Sequence, residues 1–74
     1  MYKIGDTFEY NNGRGEVVYY IVKRVQPHAM SEMRYACDCI KDGVSLYQQL
    51  KYYFYCSENF FNTYCKKVIS TIRH

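Results

Sequence analysis

Aromatic side chains dominate this sequence. Ten tyrosines and four phenylalanines stand among 74 residues, whereas Leu46 and Leu50 are its only leucines. A chain this short buries only about 60% of the surface that it exposes when unfolded, and we expect its thin interior to enclose about seven or eight large side chains. Some rings must therefore lie outside, where tyrosine is enriched in protein interfaces. The alternative is that outward rings merely pair across strands and cover a thin sheet.

A single domain over residues 1–74 is predicted, because a chain of this length has no room for a second core. The longest uninterrupted apolar run, residues 17–22, is far shorter than the roughly 20 residues that cross a bilayer. The first residues also lack the apolar core of a signal peptide. We therefore expect a cytoplasmic protein with no membrane partner. Its formal net charge of +3 favours anionic partners without requiring them.

The four cysteines stand at positions 37, 39, 56 and 65, a spacing that lacks the paired Cys-x-x-Cys motifs of structural zinc sites. Because no signal peptide directs the chain to an oxidising compartment, we expect free thiols rather than two disulfides. On a strand, Cys37 and Cys39 face the same side, which favours two small core residues. A zinc site is the alternative to this interpretation.

Catalytic motifs are absent from the sequence. The histidines are His28, in an expected loop, and His74, at the last position, where a side chain is too mobile to hold catalytic geometry. No glycine-rich phosphate loop, zinc-binding helix motif or carboxylate pair accompanies them. A cysteine with His28 as nucleophile and base is the enzymatic alternative, and nothing in the spacing demands it. We therefore expect a protein that is not an enzyme and uses no cofactor.

The N-terminal half predicts two strands joined by a hairpin. Residues 7–10 alternate polar with aromatic side chains, and residues 11–15 supply asparagine and glycine, which tolerate the positive φ of a turn. Residues 16–25 are rich in β-branched and aromatic side chains and apolar on both sides, as in a central strand. Pro27 ends this ladder, and we expect an exposed excursion at residues 26–32.

A third strand with a clear core side is predicted from residue 33 onward. Met33, Tyr35, Cys37 and Cys39 fall on its core face, and Arg34, Ala36 and Asp38 fall on the other. The Asp-Gly pair at residues 42–43 then indicates a short hairpin.

Residues 44–56 fit two structures. Helical spacing relates Val44, Tyr47, Leu50 and Phe54, whereas strand alternation relates Leu50, Tyr52, Phe54 and Cys56. The consecutive rings of residues 52–55 favour a strand for the second half, since aromatic side chains lose rotamer freedom in a helix. In that strand Leu50, Tyr52 and Phe54 face inward, and Lys51, Tyr53 and Tyr55 face outward.

Ser57 is predicted to cap a short helix, because Glu58 follows it in the first turn. After one or two helical turns, the β-branched residues 68–72 form a closing strand. The alternative is one long helix from Ser57 with an apolar stripe of Phe61, Cys65, Val68 and Ile72. The sequence thus predicts a mainly β fold with a short helix, and the alternative is an α+β fold in which an antiparallel sheet is followed by a C-terminal helix.

The order of these elements resembles that of small SH3-like or Tudor-like barrels of five strands, and the chain is similar to short accessory proteins that bacteriophages encode. The resemblance rests on element order, on the Gly-Asp-x-Phe opening at residues 5–8 and on Phe60 and Phe61 before the closing strand. It implies a helical turn before the last strand and an exposed aromatic and polar end that binds peptides, proteins or nucleic acid. It implies no catalytic residue. The segments 26–32 and 44–55 depart from the family pattern.

The expected binding surface combines outward rings with basic side chains. Its candidate residues are Tyr19, Tyr20, Lys23, Arg24, Lys51, Tyr53, Tyr55, Lys66 and Lys67. We expect a non-enzymatic binding module whose tyrosines anchor a host protein while its lysines and arginine steer it toward an acidic or nucleic-acid-binding groove. The resemblance implies a phage-type inhibitor that acts by occlusion, for example of a defence nuclease.

Two alternative functions use the same surface. Basic side chains near rings suit single-stranded nucleic acid, although lysines on solvated strand edges produce the same pattern. A homo-oligomer that binds a small anionic nucleotide is the other alternative, since so aromatic a surface favours self-association.

Overall fold

The computed structural model describes residues 1–26 and 32–69. Its elements in chain order are β1 Thr7–Asn11, β2 Val17–Val25, β3 Tyr35–Lys41, β4 Val44–Ser45, α1 Leu46–Leu50, β5 Phe54–Cys56, α2 Glu58–Tyr64 and β6 Cys65–Val68. The expected mainly β fold is confirmed. Within the described residues, neither helix is long and apolar enough to cross a membrane.

All six strands belong to one antiparallel sheet in the order β4-β3-β2-β1-β6, and β5 also pairs with β3. Because β2 takes one edge of β3, β4 and β5 share the other edge, with Ser45 opposite Ile40 and Phe54 opposite Cys37. Among the described strands, the two ends of the sheet do not pair. The sheet is therefore open and six-stranded, which differs from the five-stranded barrel expected.

The predicted hairpins and the predicted helix cap are confirmed. Asp42 and Gly43 join β3 to β4 with positive φ angles of 52° and 76°, the conformation that an Asp-Gly turn favours. β1 and β2 are joined through Asn12, whose N–H donates to the Glu16 carbonyl at 3.2 Å. The Ser57 hydroxyl accepts a 2.9 Å hydrogen bond from the Phe60 N–H and so caps α2.

The inner face of the sheet is the side that α2 covers. Ring centroids of Phe61 in α2 and Phe8 in β1 lie 4.0 Å apart, with ring planes 6° apart. The buried cluster on this face consists of Phe8, Val22, Tyr35, Cys37, Cys56 and Phe61. The core positions predicted for Tyr35, Cys37 and Cys39 are confirmed, since each is at most 3% exposed.

The third strand differs from its prediction at its start and on its second face. Met33 is 48% exposed, because the β2–β3 ladder ends at Val25 opposite Tyr35 and Met33 lies beyond it. Ala36 and Asp38 were expected outside and are buried. On the outer face, which is the side opposite α2, α1 packs against β3 and donates the Tyr47 N–H to Asp38, and Ala36 lies between Arg24 and Tyr55.

The strand predicted for the second half of residues 44–56 is confirmed only at Phe54–Cys56. Leu50 ends α1, and Leu50 and Tyr52, both expected inside, are 47% and 54% exposed. The chain turns because Lys51 adopts a left-handed φ of 61° and donates its N–H to the Tyr47 carbonyl at 2.8 Å. That turn prevents a strand from starting before Phe54.

The single long C-terminal helix is wrong, whereas one antiparallel sheet with two short helices fits the α+β class as well as the mainly β class. α2 ends at Tyr64, and Cys65 is already extended, with φ −116° and ψ 163°. β6, which starts at Cys65, pairs with the open edge of β1 and places Cys65 opposite Tyr10. This pairing satisfies backbone groups of β1 that a longer helix would leave unpaired. The closing strand starts at Cys65 rather than at residue 68. Residues 70–74 and 27–31, with both histidines, lie outside the described part of the chain.

The rings divide between interior and surface as predicted. All of the tyrosines and phenylalanines lie in the described ranges, and only Phe8, Tyr35 and Phe61 are buried. Tyr19, Tyr52, Tyr55 and Tyr64 are between 37% and 64% exposed. The excess of aromatic surface over interior space is therefore confirmed.

Candidate binding site on the outer face

The outer face carries α1 because one buried carboxylate holds the start of that helix. Asp38 in β3 accepts a 2.7 Å hydrogen bond from the Ser45 hydroxyl and a 3.1 Å hydrogen bond from the Tyr47 N–H. The Ser45 hydroxyl in turn accepts the Gln48 N–H at 3.2 Å, which caps α1. Both carboxylate oxygens of Asp38 thus hold α1 against the sheet.

A helix-start signal in the sequence marked this element and was missed. Ser45 followed three residues later by Gln48 matches the capping-box pattern, which favours a helix beginning at residue 46. The outward position of Asp38 gave no sign that it would be buried, because its partners come from a later segment of the chain.

The ring of Tyr47, the residue whose N–H binds Asp38, stacks on a second tyrosine ring. Tyr47 and Tyr53 lie with ring centroids 4.5 Å apart and planes 19° apart, and the Arg24 guanidinium lies 6.0 Å from the centroid of Tyr53. Tyr55 lies across β3 from Arg24, since both stand opposite Ala36. We name Arg24, Tyr47, Tyr53 and Tyr55 the outer tyrosine site.

Predicted basic residues flank this site along the chain. Lys51 is exposed at the left-handed turn just before Tyr53, and Lys23 is exposed at the irregularity where the β2–β3 register shifts. Because both charges remain solvated, they affect the rate at which a charged partner approaches more than the strength of the contacts that it makes once bound.

Tyr19 and Lys66 share the outer face but lie apart from the outer tyrosine site. Both stand opposite Glu9 in β1, on its two sides. The Tyr19 hydroxyl donates to Glu9 Oε2 at 3.3 Å. Glu9 therefore reduces the positive charge that Lys66 brings to this part of the surface.

Tyr20 and Lys67 lie on the inner side, so the structure does not bring them to the outer tyrosine site. Tyr20 is half-buried opposite Cys39, and burial, then the neighbouring thiol of Cys39, raises its pKa. Lys67 forms an ion pair with Asp6 at 3.8 Å and lies 5.8 Å from the ring centroid of Tyr2.

The cysteines are all free and all face the inner side, which confirms the expected thiols. The neighbouring Cys56 thiol and burial raise the pKa of Cys37, and burial raises that of Cys65 to about 11. The Cys37 thiol donates a hydrogen bond to the Cys56 sulfur, and this bond lowers the pKa of Cys56 although burial acts to raise it. No group of three metal-type ligands within residues 1–26 and 32–69 is arranged to hold a metal ion.

Comparison of the chain with protein-family models, with curated proteins and with solved structures finds no match. Function is therefore inferred from the geometry of the outer face. The outer tyrosine site consists of three phenol rings and a guanidinium, and tyrosine and arginine are residue types enriched in protein interfaces.

Proposed function

We propose that this chain is a non-enzymatic module that binds another protein through the outer tyrosine site. The observation that carries the proposal is the exposure of Tyr55, 52%, across β3 from an arginine whose guanidinium lies over the Tyr53 ring. Tyrosine and arginine are the residue types that contribute most binding energy in protein interfaces.

The rigidity of the site supports this function. Tyr53 stacks on Tyr47, and the backbone of Tyr47 is fixed by Asp38. A ring that is already held in place loses little conformational entropy when a partner covers it. The site is thus organised before binding, which favours affinity from a small contact area.

The resemblance to phage accessory proteins supports a host protein as the partner. The resemblance implies a short helical turn before the last strand, and α2 precedes β6 in this way. We therefore propose an inhibitor that occludes a surface of a host protein, for example a defence nuclease, with Lys23 and Lys51 steering the approach.

Affinity capture from a bacterial lysate tests this proposal. The immobilised chain is expected to retain one stoichiometric protein at both physiological and high salt, because ring contacts are insensitive to screening. Tyr55→Ser is expected to abolish retention, whereas the matched control Tyr64→Ser, which removes a 64% exposed ring from α2, retains it. Absence of a stoichiometric protein would contradict the function.

Single-stranded nucleic acid is a second candidate, favoured by the guanidinium over the Tyr53 ring. Fluorescence anisotropy with a labelled oligothymidylate tests it. This function requires affinity that falls steeply with salt and weakens when Lys66 and Lys67 are changed to alanine. Lys66 lies opposite Glu9, and Lys67 forms an ion pair with Asp6. These carboxylates favour a protein partner over a nucleic acid.

A further inference from the structure

Two of the free thiols contact each other across paired strands of the inner face. Cys56 in β5 stands opposite Tyr35 in β3, two residues before Cys37, so the two cysteines are diagonal neighbours on the same face. Both belong to the buried cluster. The Cys37 thiol donates a hydrogen bond to the Cys56 sulfur. The two sulfur atoms are therefore in contact in the folded chain.

This arrangement is close to that of a disulfide. Diagonal neighbours on paired strands lie about 7–8 Å apart at their Cα atoms and less at Cβ, and disulfides join Cα atoms up to about 6.8 Å apart. Closure of the bond therefore requires β5 to move by about 1 Å toward Cys37. β5 can move because it is three residues long and pairs only with β3 among the described strands.

A surface pocket beside β5 gives small molecules access to one sulfur of the pair. Cys56 lines this pocket, whose volume is about 200 Å³, together with the rings of Tyr20, Phe54 and Phe60. Hydrogen peroxide is little larger than water, which occupies about 30 Å³ in the liquid, so the pocket has room for it. Cys37 is fully buried at 0% exposure and lies behind Cys56.

The same hydrogen bond activates the accessible sulfur. It lowers the pKa of Cys56, and the thiolate is the form of cysteine that acts as a nucleophile. Cys65 is more exposed than Cys56, but burial raises its pKa to about 11. Exposure and activation thus favour different cysteines, and an experiment can separate the two.

From this contact and this access we propose that Cys56 and Cys37 are a redox-active pair that a small hydroperoxide oxidises to a reversible disulfide. The Cys56 sulfur attacks one oxygen of hydrogen peroxide, the S–O bond forms as the O–O bond breaks, and the thiol proton leaves with the other oxygen as water. The Cys37 sulfur then attacks the sulfenic acid at Cys56. The S–S bond forms as the S–O bond breaks, and the Cys37 proton leaves with the hydroxyl as a second water. The two thiols lose two electrons and two protons, which the peroxide takes up.

Thiol mapping of the parent chain tests the pair. The folded protein is treated with hydrogen peroxide at neutral pH, remaining thiols are blocked with N-ethylmaleimide, and the chain is cleaved after acidic residues for mass spectrometry. An acidic residue lies between each cysteine and the next, so this cleavage separates all four. Linked fragments that contain Cys37 and Cys56 are expected, and dithiothreitol is expected to restore both thiols. Disulfides between other cysteines, or four free thiols after treatment, would overturn the proposal.

A short pulse of iodoacetamide at neutral pH identifies the activated sulfur. Cys56 is expected to be alkylated about tenfold faster than Cys65, because the raised pKa of Cys65 leaves less thiolate and its greater intrinsic nucleophilicity offsets only about half of that effect. Faster labelling of Cys65 is the result that exposure alone would give, and it would contradict the activation of Cys56.

Matched variants test the role of Cys37. Cys37→Ala is expected to form no disulfide and to leave Cys56 as a sulfenic acid, which dimedone traps. Cys39→Ala removes another buried thiol of β3, 3% exposed, and is expected to form the Cys37–Cys56 disulfide as the parent does. Circular dichroism shows whether both variants fold, and the mapping of the parent decides the proposal if Cys37→Ala does not. Loss of the disulfide from a folded Cys39→Ala would count against the pair. This inference is independent of the proposed binding function.

Discussion

The Ser45 hydroxyl donates a 2.7 Å hydrogen bond to Oδ2 of the buried Asp38. Because Asp38 also accepts the Tyr47 N–H, one side chain of β3 fixes both the start of α1 and the backbone of Tyr47, whose ring stacks on Tyr53. The outer tyrosine site therefore depends on an acid that supplies no binding surface of its own.

Asp38→Ala is expected to lower the free energy of unfolding by about 2 kcal/mol, since it removes two hydrogen bonds to a buried carboxylate. Ser45→Ala, which removes one of them and the cap of α1, is expected to cost about 1 kcal/mol. Urea unfolding followed by circular dichroism measures both. Equal costs for the two variants would show that the Tyr47 contact contributes nothing.

Tyr35→Phe is expected to cost about 1–2 kcal/mol. The buried Tyr35 hydroxyl accepts the Tyr2 N–H at 3.0 Å and donates to Glu58 Oε1 at 2.8 Å, so its removal takes the acceptor from the Tyr2 N–H and one donor from Glu58. Tyr2→Phe keeps the ring contacts, loses only the exposed bond to Asn62 and is expected to change stability by less than about 0.5 kcal/mol. Hydrogen exchange at the Tyr2 amide should accelerate in Tyr35→Phe alone, and protection equal to that of the parent would count against this role.

Phe61→Ala is expected to unfold the chain at room temperature. The substitution removes the ring stacked on Phe8 and costs about 3–5 kcal/mol, comparable to the whole stability of so small a domain. Tyr64→Ala, on the same helix and 64% exposed, is the control, with an expected change under about 0.5 kcal/mol. A cooperative thermal transition retained in Phe61→Ala would contradict the central position of this ring pair.

Stability is expected to fall above pH 9 under reducing conditions. Burial raises the pKa of the Cys65 thiol from 9.0 to about 11, so between these values the unfolded chain has released a proton that the folded chain still holds. The unfolding free energy then decreases as pH rises and is unaffected well below pH 9. Cys65→Ala should flatten the decline measured by urea unfolding at a series of pH values. If the stability of Cys65→Ala declines as steeply as that of the parent, the pH dependence arises from other groups, such as Cys37, whose pKa is also raised.

Local patterns in the sequence were enough to predict the first three strands, their turns and the cap of α2. Alternation defined β1 and the central strand, and Asp42 with Gly43 defined a turn, because these signals act between residues adjacent in the chain. What could not be predicted depends on distant contacts. Residues 44–56 fitted both a helix and a strand, and the first half forms α1 because Asp38 holds the Ser45 cap and Lys51 ends the helix in a left-handed conformation.

The candidate site was only partly predictable for the same reason. Tyr53 and Tyr55 were predicted to face outward and Arg24 to belong to the binding surface, but strand register decides which of the candidate residues share a face. Tyr20 and Lys67 face the inner side because their partners in the ladder are Cys39 and Phe8. The role of Tyr47 depends on a stacking contact that spacing along the chain does not show.

The most direct test of the central claim is a calorimetric titration of the captured host protein with single variants of the outer tyrosine site. Tyr55→Ala and Arg24→Ala are each expected to raise the dissociation constant about 30-fold, the effect of losing roughly 2 kcal/mol at an interface anchor. Tyr64→Ala is expected to leave it unchanged. Unchanged affinity in both site variants, with folding intact, would contradict the claim that these exposed rings exist to bind a protein.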